Sequence, residues 1–525
     1  MLGAERRAWA LAALSAILQV LIFPLPNFYL LSWIAVTPLL VALLNARRAG
    51  ALQLQGSIIL LPARPWQGFA LGYLCGILWY AGTCYWVFNT MKQYGGINAA
   101  GALGLLILFC LYLALYHGLF GLVISILSRS SLRLALALSP LVWVAVELAR
   151  TRISGFPWDL LGIAQVDNAP LARIARITGV YGVSFEIMVV NVAFAAAVLA
   201  KRTRRASLLL AALAAAFVLQ IARWIPLPQL RADRSAVLVQ ENIPILDSSD
   251  WTRAYLEDTL ADLDRISQAP LDGGQRHADL IVWPESPAPF YISDPLFRTA
   301  VGHLAQKTHA WVVAGNVGVR DGGSPQNAAE VFNSATLVSP AGEPVARYDK
   351  VHLVPFGEYV PFRAWLGFAG GLTREVGDFA RGASREPLPA GDEKLGVFIC
   401  YESIFPDEVR QFARNGAQVL VNISNDGWYG DSGAYAQHLK QARMRAIENA
   451  RWLLRGTNTG VTASVDPFGR VVQSLPRKVR SSLAASYSLI DSTTFYTRHG
   501  DWLAYSCAII SAGAIGFSLK GKRRE

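Results

Sequence analysis

The sequence predicts two architectures in one chain: a multi-pass α-helical membrane bundle of about eight spans, and an α/β domain set before the last of them. Three observations carry this reading. The composition is 53% hydrophobic and only 16% charged, with a mean hydropathy of +0.33, which is greasier than an ordinary soluble protein. Apolar segments approaching the roughly 20 residues that cross a bilayer core recur through the first part of the chain and once more near its end. Between them, a stretch of about 275 residues alternates β-rich runs with helical periodicity.

The expected spans lie near Trp9–Leu25, Tyr29–Leu44, Trp66–Phe88, Gly101–Leu127, Leu132–Leu148, Gly179–Ala200, Ser207–Trp224 and Trp502–Leu519. Pro24, Pro26, Pro38 and Pro140 fall within or at the ends of these segments, which membrane helices tolerate better than soluble ones. The first segment is similar to a signal-peptide core. A second apolar segment follows at once, and no small-residue cleavage site is visible, so it reads as a retained span. Positive charge sets the orientation. With the amino terminus cytoplasmic, fifteen Lys and Arg collect on that side and five on the other. Both termini are then expected inside, and the long stretch between spans seven and eight outside. The expected domains are a membrane domain over 1–225, an outer α/β domain over 226–500, and a final span with a basic tail over 501–525. The net charge of +11 reads as basic cytoplasmic loops and not as a nucleic-acid surface. No zinc-type cysteine pairing, P-loop or dinucleotide fingerprint is present.

The outer stretch has its own grammar. SAVLVQENI, DLIVWPES, WVVAGNVGV, GVFICYES, AQVLVNISND and GVTASVDPFGRVV read as strands. Leu256, Leu260, Leu263 and Ile266 recur at helical spacing in Trp251–Ser267, and Ala434–Leu454 is a second helix candidate. Near-continuous apolar strands imply sheets covered on both faces.

Of five cysteines, Cys400 alone lies in this outer stretch. An unpaired thiol facing an oxidising space stands out, although free cysteine is also a common packing residue. Glu285, in LIVWPESPAPF, and Lys350 and Glu358, in RYDKVHLVPFGEYVPF, are charged groups within mostly apolar stretches. A thiol, a carboxylate and an ammonium together suit acyl transfer without a metal or other cofactor. The carboxylate takes the thiol proton, the thiolate attacks, and the ammonium stabilises the oxyanion. The seven histidines show no metal spacing. His438, Arg443 and Arg445 read as surface or packing positions on their helix.

The order WPES, then DKVHLVPFGEYVP, then CYES resembles the nitrilase (carbon-nitrogen hydrolase) superfamily, which uses a Glu–Lys–Cys triad. With seven spans before that domain and one after, the whole chain resembles the apolipoprotein N-acyltransferase family. The resemblance implies an α-β-β-α sandwich with Glu285 as base, Lys350 as the triad lysine and Cys400 as nucleophile. It implies further site positions at Glu358, Tyr401 and Glu402, a functional tryptophan at Trp251, and a supporting Asn333. It also implies a bacterial inner-membrane enzyme with a periplasmic catalytic domain. The expected donor is a phospholipid, phosphatidylethanolamine by preference, and the expected acceptors are diacylglyceryl-modified apolipoproteins. A membrane-tethered amidase or nitrilase using the same triad is the alternative. Pro361–Gly377, rich in aromatics and glycines, reads as an interfacial lid or a buried loop. Ser424–Gly433 reads as a second arm or an ordinary turn.

Overall fold

A computed structural model describes residues 5–47, 60–246, 250–272, 277–285, 289–320, 329–359 and 379–520. The expected lid, Pro361–Gly377, lies outside the described residues. The chain divides into two units. One is Met1–Phe88, Ala99–Leu227 and His499–Glu525; the other is Asn89–Asn98 and Pro228–Arg498.

The first unit is helical, and the protein is a multi-span membrane protein. Among the described residues five helices are long and apolar enough to cross a bilayer: Ala99–Leu127, Leu132–Ser154, Val180–Leu199, Arg202–Ile221 and Trp502–Lys520. The segment expected at Trp66–Phe88 is a pair of helices, Pro65–Thr83 and Trp86–Gln93, bent by 54°; counted as one span it makes six. Two expected spans are shorter than the bilayer core. Arg6–Leu21 has 16 residues. Tyr29–Leu44 divides into a short 3-10 turn, Tyr29–Trp33, and an eight-residue helix, Thr37–Leu44. Eight residues rise only about 12 Å. Buried Asn191 satisfies the backbone around this break. Its Oδ1 accepts from the amides of Val36 at 2.8 Å and Thr37 at 2.9 Å, and its Nδ2 donates to the Ser32 and Ile187 carbonyls at 2.8 Å each. Hydropathy averages over such a break and cannot register it.

Packing between Pro65–Thr83 and Ala99–Leu127 rests on glycine. Gly68, Gly72 and Gly76 are four residues apart, so they share one helix face. A Cβ on Gly72 would lie 2.2 Å from the His117 carbonyl oxygen, and one on Gly121 would lie 2.1 Å from that of Gly68. The two backbones touch, the close approach that small residues allow between membrane helices. On Arg202–Ile221, Leu210, Leu213, Phe217 and Val218 are exposed, an apolar face suited to lipid and not to water.

The second unit contains twelve described strands: β1 (Arg234–Gln240), β2 (Leu280–Val282), β3 (Trp311–Arg320), β4 (Glu330–Val338), β5 (Pro344–Asp349), β6 (Leu388–Ala390), β7 (Glu393–Ile399), β8 (Val419–Ser424), β9 (Leu453–Thr457), β10 (Ala463–Val465), β11 (Val471–Ser474) and β12 (Ser481–Tyr487). They form two six-stranded sheets, ordered β12-β1-β2-β3-β4-β5 and β11-β10-β9-β8-β7-β6. In each sheet the middle strands run parallel: β1, β2 and β3 in one, β7, β8 and β9 in the other.

Alternation along β1 shows how the layers stack. Ala236 and Leu238 join a core with Leu280, Val282, Val397, Ile399, Leu420 and Leu453, drawn from both sheets. Val237 and Val239 point the other way, to Leu260 and Leu263 of helix Arg253–Asp272 and to Phe297 and Val301 of helix Pro295–Thr308. Helices Pro406–Arg414 and Ala434–Asn449 contribute Val409, Phe412, Ala442 and Ala446 to the core that includes β7 to β9. Both sheets are apolar on both faces because both faces are covered. At the carboxyl ends of the parallel strands the chain turns out of the sheets, the usual place for a site in such folds.

Candidate active site

Four polar side chains meet at those strand ends, all of them buried. Glu285 follows β2, Asn333 lies on β4, Lys350 follows β5, and Glu358 closes the turn after it. The Lys350 Nζ is 2.9 Å from Glu358 Oε1 and 3.5 Å from Glu285 Oε1. The Asn333 amide spans the two carboxylates, donating to Glu285 Oε1 at 2.8 Å and to Glu358 Oε1 at 2.7 Å. Two backbone amides complete the set: Asn425 N donates to Glu285 Oε2 at 2.7 Å, and Val354 N to Glu358 Oε2 at 2.8 Å. Each carboxylate oxygen therefore has a donor, which is what burying two carboxylates and one ammonium requires. Burial alone would pull the Lys350 ammonium down, but Glu358 and Glu285 hold it above its ordinary value. It stays charged.

Cys400 is the residue after β7, and it opens a 3-10 turn, Cys400–Ile404. Its φ is +48°, a left-handed conformation that side chains other than glycine rarely adopt and that tends to persist at functional sites. The thiol is buried, takes a hydrogen bond with Ser424, and lies in the field of Glu285, Lys350 and Asp426. Burial first, then Glu285, pushes it well above the ordinary thiol value. The resting group is a neutral thiol that needs a base to become a nucleophile.

Glu402 ties these parts together. Its Oε1 accepts from the Tyr348 hydroxyl at 2.7 Å and from the amides of Val351 and His352 at 2.9 and 3.0 Å. Its Oε2 accepts from Ile399 N at 2.8 Å. One buried carboxylate thus joins the segment after Lys350 to the strand before Cys400. Tyr401 is buried with its ring edge-on to Phe405 at 5.3 Å and 5.9 Å from His352. Among the described residues Trp251 makes no hydrogen bond or ring contact with this cluster. Its ring is 5.2 Å from Tyr255, and it packs at the edge of the outer core formed by the two helices on the first sheet.

A second buried group was not singled out from the sequence. His438, Asp426 and Cys400 each offer an atom within 4.8 Å of the others. These are metal-ligand types, but their polar atoms bond one another: His438 Nε2 is 3.0 Å from the Cys400 carbonyl oxygen, His438 Nδ1 is 2.9 Å from Asp426 Oδ1, and Arg455 Nη2 is 2.8 Å from Asp426 Oδ2. A guanidinium at that carboxylate disfavours a cation there. The one sequence signal was the polar SNDG run at the end of an apolar strand. The Ser424–Gly433 segment holds the short 3-10 turn Asp426–Tyr429, in which Trp428 packs edge-on to Tyr94 at 5.3 Å, within the same unit.

Two family models match the chain: the carbon-nitrogen hydrolase model over residues 238–492 and the apolipoprotein N-acyltransferase N-terminal domain over residues 15–193. Among curated relatives, the apolipoprotein N-acyltransferase of Geobacter metallireducens is 34% identical over 99% of this chain and 96% of its own length. That of Methylococcus capsulatus is 34% identical over 89% of this chain and 90% of its own. The Shewanella oneidensis enzyme is 33% identical over 87% and 88%.

Proposed function

The chain belongs to the apolipoprotein N-acyltransferase family of membrane enzymes, and from that premise we propose that it moves a fatty acyl chain from a phospholipid to the α-amine of a lipid-modified amino-terminal cysteine. The observation that carries this reading is the Glu285–Lys350–Glu358–Asn333 cluster next to the Cys400 thiol. It combines a base, a fixed positive charge and a nucleophile in one buried place.

In the first half-reaction Cys400 Sγ attacks the ester carbonyl and its proton passes to Glu285. The ammonium of Lys350 stabilises the oxyanion. The acyl–oxygen bond breaks, Glu285 returns the proton to the leaving oxygen, and a lysophospholipid departs. A thioester remains on Cys400. In the second half the acceptor amine attacks the thioester, Glu285 accepts the amine proton, the carbon–sulfur bond breaks and the thiolate is reprotonated. Glu358 and Asn333 keep Lys350 and Glu285 in place through both halves. Tyr401 and Glu402 shape the backbone around the nucleophile, and Trp251 stands at the approach for substrate.

Phosphatidylethanolamine is the donor this reading favours, with diacylglyceryl-modified apolipoproteins as acceptors. Both carry chains that stay in the bilayer, which accounts for a catalytic domain (226–500) set between a membrane domain (1–225) and a last span (501–525). In this reading there are eight spans in a bacterial inner membrane, with both termini cytoplasmic and the catalytic domain periplasmic.

The test is intact-mass measurement on purified protein incubated with phospholipid alone. The expected result is an acyl adduct on Cys400 that disappears when a diacylated lipopeptide is added and reappears as an amide on that peptide. Release of free fatty acid without N-acyl peptide would replace the transferase by the hydrolase alternative. No adduct under turnover conditions would refute the covalent scheme.

A further inference from the structure

Cys400 holds a strained backbone conformation, and one side chain bonds directly to it from behind. His438, on helix Ala434–Asn449, is wholly buried. A carbonyl oxygen only accepts, so His438 Nε2, 3.0 Å from the Cys400 oxygen, is the protonated nitrogen. The other side of the ring is fixed by charge. Nδ1 lies 2.9 Å from Asp426 Oδ1 and 3.0 Å from Arg455 Nη2. Arg455 in turn meets both Asp426 oxygens, at 3.0 and 2.8 Å, and also donates to Asn422. Ser424 donates to Asp426 Oδ1 at 2.8 Å. The carboxylate is pressed on backbone as well: a Cβ on Gly460 would lie 2.2 Å from Asp426 Oδ2. Tyr429 stands edge-on to the imidazole at 5.6 Å.

We propose that His438 is a positioning residue for Cys400. Its Nε2–H holds the Cys400 carbonyl, and with it the left-handed turn that aims the thiol toward Glu285 and Lys350, while Arg455, anchored on both Asp426 oxygens, donates to Nδ1 and holds the ring. The inference rests on the reading of Cys400 as nucleophile. Burial, then Arg455, holds the His438 imidazole below its ordinary value, so it is neutral near pH 7 and serves as a fixed donor, not as a competing proton source. Burial would raise the Asp426 carboxyl, but Arg455 holds it well below the usual carboxylate range, so the clamp stays charged. Backbone direction matters here because a displacement of about 1 Å can cost a reaction on the order of a hundredfold.

The test compares His438→Gln with His438→Asn in the detergent-purified full chain. A glutamine amide reaches the position of Nε2 and keeps the bond to the Cys400 carbonyl. An asparagine amide is one methylene shorter and keeps only the side that faces Arg455 and Asp426. The readouts are the single-turnover rate of Cys400 acylation from phospholipid vesicles, its dependence on phospholipid concentration, and the thermal midpoint. The Asn variant should acylate at least about tenfold more slowly, and the Gln variant within about threefold of the unaltered protein. Concentration dependence should be unchanged, and the two midpoints should be close. Equal rates in the Gln and Asn variants overturn the inference and leave the proposed function standing. Absence of an acyl adduct on the unaltered protein overturns both. Should neither variant fold, Arg455→Lys decides. It keeps the charge beside Asp426 but loses the planar fork, and acylation at the unaltered rate would overturn the inference.

Discussion

Replacing Glu402 by glutamine separates a residue that builds the site from one that only ends a strand. Four donors converge on this carboxylate, three on Oε1 and one on Oε2, and it is 2% exposed. Glutamine keeps one acceptor oxygen. In its better orientation the carbonyl serves the three-donor side, and the NH2 group meets the Ile399 amide, donor against donor. A buried N–H left without an acceptor costs about 1–3 kcal/mol, and the three remaining bonds lose the charge that strengthened them. The sum is about 3 kcal/mol. In a unit of this size each kcal/mol moves the thermal midpoint by roughly 2–4 °C, so a drop of about 6–12 °C is expected in detergent. Val351 and His352 directly follow Lys350, so the ammonium loses its registry with Cys400 as well. Acylation of Cys400, read by intact mass at a temperature where the variant is folded, should slow by about ten- to a hundredfold. A midpoint shift under about 2 °C together with an unaltered acylation rate would refute the reasoning and leave Glu402 as the polar start of a turn.

Further outcomes test the other parts. Lys350→Met leaves Glu285 and Glu358 facing each other without their shared cation; acylation should fall by at least about a hundredfold and stability by about 3–5 kcal/mol, and a single-turnover assay with a melting curve checks both. Because burial raises the Cys400 thiol, its alkylation by iodoacetamide should keep climbing through pH 9, and a plateau below pH 8 would contradict this. The linked stability has a definite sign: a thiol kept neutral by the fold contributes fully below its unfolded value of about 8.5 and progressively less as pH rises above it. In the membrane unit, Asn191→Leu strips four backbone groups of their partner and should lower the melting temperature by several degrees, whereas the same change at exposed Val189 should not. Gly72→Leu sets a side chain where 2.2 Å is free, and should abolish accumulation of folded protein as judged by size-exclusion chromatography.

The strands were legible because both faces of each sheet are covered. GVFICYES reads as a continuous apolar run, and β7 ends at Ile399. Glu285 and Cys400 stood out for the same reason, as polar or reactive groups where an apolar run stops, and Lys350 as a charge within a mostly apolar stretch. His438 and Arg455 gave no such signal. A histidine in a helix looks the same whether it faces water or a backbone carbonyl. The meeting of Arg455 with Asn422 depends on the parallel register of β8 and β9, in which the two are partners, and no local pattern encodes a register between distant strands. For the spans the difficulty runs the other way: Tyr29–Leu44 reads as one mostly apolar run, and the Asn191 side chain that satisfies the backbone at its interruption lies far along the chain. The ring of Trp251 packs against Tyr255 and at the edge of the outer core, a placement that its position downstream of β1 does not encode.

The pairing of β1 with β12 bears on biosynthesis. Arg234 and Tyr487 are partners across these antiparallel strands, so the polypeptide arrives in the second unit and departs from it at adjacent points. The Pro228–Arg498 part of the unit is an insertion whose first and last strands lie side by side, an arrangement that tolerates excision and transplantation. The ribosome, however, delivers β12 last. Until then β1 is an open sheet edge, a template for wrong partners, held through the synthesis of every strand from β2 to β11. A nascent chain arrested before Ser481 should therefore be protease-sensitive and aggregation-prone, and release past Tyr487 should close the sheet.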